Sequence, residues 1–171
     1  WMNGFASRLP ELREKTFAYR DGLGAGLPDI VTEAVGSCVA NLRTNVCLWT
    51  EDGRFYGFEG GHGASTWMPF GGCCPMNCTH VWNYEQGLVE LWPELFRTMR
   101  ESDWQINQQP DGRLPHRITL PVYVRKLWDT PIGGPENPAL DGLCAGVLKT
   151  YQYFLKSGSQ DWLKLVWPNI E

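Results

Sequence analysis

The sequence predicts a mainly α-helical protein. Apolar residues recur at helical spacing in long stretches, while the extended segments are short and gathered around turn signals. Leu91-Trp92-Pro93 and Val166-Trp167-Pro168 also repeat an apolar residue, Trp and Pro where one helix gives way to another, as an array of helical hairpins would.

The elements follow in order. Leu12, Thr16, Tyr19 and Leu23 predict a helix over residues 10–23, with Pro10 in its first turn and Gly22, Gly24 and Gly26 ending it. Pro28 opens a second helix, whose stripe of Ile30, Val31, Ala34, Val35, Cys38, Val39 and Leu42 recurs near the helical period of about 3.6 residues. Residues 46–49 and 54–58 flank Glu51-Asp52-Gly53, a turn between two short strands. Gly, Pro, Ser and Cys predict loop over 60–77. A helix is expected to begin near Thr79, as its cap, and to carry Val81, Tyr84, Leu88, Leu91 and Trp92 inward. Pro93 starts the next helix, through Arg100. Short extended pieces are expected over 104–121 around Asp111-Gly112, then a loop at a cleft rim over 130–138. The last long helix, 139–156, has Leu140, Leu143, Val147, Leu148, Tyr151, Phe154 and Leu155 on its apolar side, Gly158 at its C-terminal cap and a further segment from Ser159.

A chain of 171 residues that is 43% hydrophobic can bury one sizeable core. A net charge of −4 with no Lys/Arg cluster argues against nucleic acid as partner. No apolar run reaches the length of a membrane span, and no membrane segment is expected. The chain begins at Trp1 and stops at Glu171 just after Trp167-Pro168, which reads as a piece of a longer protein. Nine tryptophans exceed what a core of this size needs, so some are expected to line a cleft. Six cysteines in a chain with an ample apolar core are expected to be reduced, mostly buried thiols. A pair from Cys73 or Cys74 to Cys38, Cys47, Cys78 or Cys144 stays open.

Residues 54–86 concentrate the chemistry. Glu59 ends a short aromatic strand and is followed by Gly60-Gly61, which leaves its carboxylate approachable. Cys78-Thr79-His80-Val81-Trp82-Asn83-Tyr84-Glu85-Gln86 then crowds aromatic and polar side chains together. Such groups suit a sugar, whose apolar faces stack on rings and whose hydroxyls need donors and acceptors. The competing reading is that Glu59 caps a hairpin and the aromatics are core. Cys73, Cys78, His80 and either Cys74 or His62 could be assembled as zinc ligands. A second Cys-x-x-Cys pair is missing, however, so no metal and no cofactor are expected.

Phe58-Glu59-Gly60, followed by the Cys78–Gln86 run, resembles the catalytic region of glycoside hydrolase family 116, the group of non-lysosomal glucosylceramidases and bacterial β-glucosidases and β-xylosidases. The resemblance implies that residues 1–171 are the first part of an (α/α)6 barrel with small β-hairpins between helices, truncated at both ends. It implies a retaining β-glycosidase acting on a glycoside substrate. Its partners would be the rest of the same chain: the missing barrel helices and an N-terminal β-sandwich domain. Glu59 matches the nucleophile. The acid/base aspartate would lie downstream, so this stretch alone would be inactive. Glu85 competes for the nucleophile's place, or contacts sugar, or is structural. His116 resembles a histidine that contacts the sugar, but Arg117 stands where the family has Asp. His80 lies near a family aspartate and, with Trp82 and Tyr84, is expected at the substrate. Asp141 matches a family aspartate, with capping of the last long helix preferred. Two other classes remain: a catalytically degenerate carbohydrate-binding barrel, and a zinc-stabilised helical interaction domain.

Overall fold

The computed structural model describes residues 2–44, 46–59, 76–118 and 138–171. It is mainly helical, with a two-stranded antiparallel sheet, and divides into two compact units, 1–40 and 41–171. Among the described residues, no helix is long and apolar enough to cross a membrane. The expected loops over 60–75 and 130–137 lie outside the described residues.

The first unit is a helix pair, α1 (Met2–Gly24) and α2 (Asp29–Ala40). Pro10 lies inside α1 rather than in its first turn, so the helix reaches further towards the N-terminus than Pro10 suggested. The ring removes one backbone donor there, and the helix continues past it. Arg13 and Arg20 cover the ring of Phe17, with guanidinium carbons 5.2 and 4.9 Å from its centre. A β-carbon at Gly24 would lie 2.7 Å from Thr32 Cγ2, so the absent side chain lets α1 meet α2. The apolar stripe of α2 is largely open: Val39 is buried, but Ile30 is 77% exposed.

In the second unit, β1 (Cys47–Trp49) pairs with β2 (Phe55–Gly57) in the register Cys47↔Gly57 and Trp49↔Phe55. Gly53, at φ 77°, supplies the left-handed residue of the turn. Every residue of β2 is buried.

The expected helix from Thr79 is instead one 3-10 turn (Val81–Asn83) followed by the short α3 (Gly87–Leu91). Tyr84, expected inward, is 69% exposed, while Leu88 is fully buried. Thr79 does not cap; its hydroxyl donates to the His116 carbonyl at 3.2 Å. Helix α4 (Pro93–Glu101) starts at Pro93 and runs into a π-helical turn, Ser102–Asn107, where extended chain was expected. Gly112, at φ 86°, marks the expected turn.

Helix α5 (Leu140–Ser157) ends at Gly158, whose left-handed backbone (φ 65°) donates its N–H to Phe154 O. Helix α6 (Gln160–Val166) begins after Ser159, and Trp167–Asn169 forms a final 3-10 turn. The buried side of α5 carries Gly142, Ala145, Gly146, Lys149, Thr150 and Tyr153. The apolar side points outward, with Leu140 at 77%, Leu148 at 64% and Leu155 at 63% exposure. Small residues let the helix approach closely; a β-carbon at Gly146 would already stand 3.3 Å from Leu114 Cδ1 and Trp104 Cζ2. Trp104 Nε1 donates to Thr150 Oγ1 at 2.8 Å, so the polar atoms of this contact are satisfied. Phe55, Trp82, Leu88, Phe96, Trp104 and Trp162 belong to the core that α4, α5 and α6 surround.

Candidate functional site

Three segments converge where β2 ends. Residues 76–80 and 116–118 run antiparallel, with Ile118 N donating to Met76 O and Thr79 N to His116 O, both at 2.8 Å. Asn77 joins this pair to the strand, because its N–H donates to Gly57 O at 2.8 Å and its Oδ1 accepts from Gly57 N at 2.9 Å. Asn77 takes the left-handed φ of 52°, a conformation Asn tolerates better than most residues. The N-terminal end of α5 closes the third side. A β-carbon at Gly142 would lie 2.6 Å from Thr79 Cβ and 2.8 Å from its carbonyl carbon. These contacts bring Glu59, Cys78, His80, His116, Arg117 and Asp141 into one neighbourhood, from positions far apart in sequence.

Glu59 was expected to project into a cleft, but its side chain is only 14% exposed. Arg117 donates both Nε and Nη2 to Oε1, each at 2.7 Å. The Cys78 thiol hydrogen-bonds the same carboxylate. Burial first, and that bond second, push the thiol up to about 12, so Cys78 stays protonated and is no nucleophile.

His116 lies beside this pair. Burial, then Arg117, hold its pKa below the usual value, with His80 adding and Glu59 and Asp141 opposing. Its Nε2 is buried and has no hydrogen-bond partner among the described residues. The His80 ring stands edge-on to His116 and Tyr84, with centroids 6.1 and 5.7 Å away. His80 Nδ1 bonds Asp141 Oδ2, and both side chains are about half exposed. That bond lowers the Asp141 pKa. Asp141 therefore stands in the first turn of α5 as the partner of His80, whereas the N-cap position belongs to Ala139.

Two expected substrate residues lie elsewhere. Trp82 is in the core at 8% exposure, edge-on to Phe55, and its indole N–H donates to Gly57 O at 3.1 Å. It offers no open face on which a sugar could stack. Glu85, one residue before the N-cap Gln86, accepts from the first amides of α3, Gly87 N at 2.5 Å and Leu88 N at 2.9 Å. Burial raises its pKa, against the pull of those amides and of Lys149. Lys149 donates to the Glu85 carbonyl, and burial lowers its pKa to about 8.

The zinc reading needed Cys73 together with Cys74 or His62, and all three lie outside the described residues. Among the described residues, no three His, Cys, Asp or Glu side chains cluster as metal ligands. Cys38 and Cys144 are exposed, Cys47 is half-buried and Cys78 is buried, so the expectation of mostly buried thiols fails for two of these four. A surface depression of about 530 Å³ is lined by Gln86, Val89, Glu90, Gln152, Leu155 and Lys156, none of them from the Glu59 neighbourhood.

Sequence reasoning treated Arg117 as a departure from a pattern and did not see it as the partner of Glu59. The roles of Cys78 and Asp141 were missed too. Only the pairing of 76–80 with 116–118 and the approach of α5 create them. No protein family, no curated protein and no solved structure matches this chain.

Proposed function

We propose that this chain is part of a retaining β-glycosidase in which Glu59 is the nucleophile. The observation that carries the reading is a strand-end carboxylate held at one oxygen by Arg117, with His116 beside it and His80, Asp141 and the exposed Tyr84 following in a run of contacts from His116. The half-exposed His80 ring offers a polar contact for a sugar hydroxyl and Tyr84 an apolar ring face. The word-like likeness of Phe58-Glu59-Gly60 and Cys78–Gln86 to family 116 supports the same reading. So does the open apolar side of α5, which further barrel helices would cover.

In the reaction, Glu59 attacks the anomeric carbon, the bond to the leaving oxygen breaks, and a glycosyl ester forms. A carboxylic acid from the rest of the protein delivers the proton to the leaving oxygen. It then takes a proton from the water that cleaves the ester. Arg117 fixes the direction of the attacking carboxylate, a positioning role.

A mechanism-based fluorinated glycoside tests this. The expected adduct is on the peptide containing Glu59, read by mass spectrometry; an adduct on Glu85 would overturn the assignment. The isolated chain is expected to leave glycosides with poor leaving groups uncleaved. The near-burial and tight ion pairing of Glu59 favour one second reading, a sugar-binding barrel without catalysis. That reading predicts sugar binding with no adduct.

A further inference from the structure

We infer that His80 and Asp141 form one sugar-recognition unit, in which Asp141 fixes the imidazole so that Nε2 accepts a hydrogen bond from a hydroxyl of a bound pyranoside. The inference rests on the glycoside reading for its ligand class, and adds to it the polarity of this contact and a positioning residue.

A carboxylate can only accept, so Asp141 Oδ2 requires the proton on His80 Nδ1. A neutral ring then carries its lone pair on Nε2. Among the described residues, no protein group meets that nitrogen, and the ring is open to solvent with a side-chain exposure of 44%. Its edges are set by Tyr84 at 5.7 Å and His116 at 6.1 Å, so the ring is held between two further groups. The backbone supports the geometry from both sides. Thr79, one residue before His80, is tied to His116 O by its amide and hydroxyl. Gly142, one residue after Asp141, lies directly against Thr79. The acceptor is thus built from two rigidly joined segments 61 residues apart. On the neutral ring Nε2 can only accept and so selects a donor, and a sugar hydroxyl is the donor a glycoside offers.

The test uses the full chain labelled with 15N and two probes, methyl β-glucopyranoside and methyl β-xylopyranoside. Long-range proton–nitrogen spectra of the neutral ring should show the proton on Nδ1 and a bare Nε2. Asp141→Ala should lose that preference. His80→Ala and Asp141→Ala should each weaken binding of whichever probe binds by about tenfold, the scale of one lost hydrogen bond to a ligand. Asp141→Asn keeps the shape but can turn its amide so that N–H meets Nδ1, which moves the ring proton to Nε2, so it should weaken binding about as much as Asp141→Ala. Binding by Asp141→Asn at the wild-type level would overturn the proposal. A wild-type proton on Nε2, binding indifferent to both alanine variants, or no binding of either probe would also overturn it. Probe binding that depends on His80 and Asp141, without a covalent adduct on Glu59, would sink hydrolysis and leave this inference standing. An adduct on Glu59 with binding indifferent to both alanine variants would do the reverse.

Discussion

Replacing Gly142 by Ala should destabilise the protein and loosen the His80 contact, although the same change in an open helix would stabilise it. Alanine is favoured over glycine inside a helix by about 1 kcal/mol. At Gly142, however, the new methyl would stand 2.6 Å from Thr79 Cβ and 2.8 Å from Thr79 backbone carbon. Thr79 cannot retreat without breaking its two bonds to His116 O, at 2.8 and 3.2 Å. Overpacking of this kind costs about 1–3 kcal/mol, and loss of a backbone tie adds about 1 kcal/mol. The net loss is then roughly 2 kcal/mol, or about 4–8 °C in Tm for a chain of this length. Gly146, one turn along α5, gives the comparison. Its nearest neighbours, Leu114 and Trp104 side-chain atoms, are 3.3 Å away, so Gly146→Ala should fall within about 1 kcal/mol of wild type. Thermal melts read the stabilities, and the His80 nitrogen shifts read the site. Gly142→Ala as stable as Gly146→Ala, with unchanged His80 shifts, would refute the close approach of α5 on which the site depends.

Other outcomes follow from single groups. Ser159 Oγ accepts from Trp162 N at 3.2 Å, so Ser159→Ala should cost about 1 kcal/mol and speed amide exchange at Trp162; unchanged exchange would remove this cap. His116 is held below its ordinary 6.5, chiefly by burial and Arg117. The unfolded chain therefore takes up the proton first as pH falls, and this contribution, full above about 6.5, is lost below it. Asp103, raised by burial to about 6, works the other way, since the folded state takes up that proton first. Comparing wild type with His116→Gln at about pH 7.5 and about pH 5.5 isolates the histidine, and the wild type should lose more stability between the two. An equal loss in both would mean that His116 titrates alike in folded and unfolded chains.

Much of the helical frame was legible in the sequence because its signals are local. Pro93 at the first position of α4, Gly158 at φ 65° after α5 and the Gly53 turn each act within a few residues. The hairpin that carries Glu59 was legible for the same reason. Where local pattern and packing compete, packing decides. On α5, periodicity selected Leu140, Leu148 and Leu155, yet the buried side is built on Gly142, Ala145 and Gly146, because small residues allow the approach that Thr79 and Trp104 require. Trp82 looked like a binding aromatic, but Gly57 opens a space for its ring beneath β2, where a β-carbon would lie 2.6 Å from Trp82 Cε2. The candidate site depends most on tertiary structure. Glu59 meets Arg117 across 58 residues and His80 meets Asp141 across 61, and no periodicity within either segment encodes such pairs. The sequence by itself determined which groups could carry chemistry; the pairing of 76–80 with 116–118 and the seating of α5 on Thr79 decided which of them face one another.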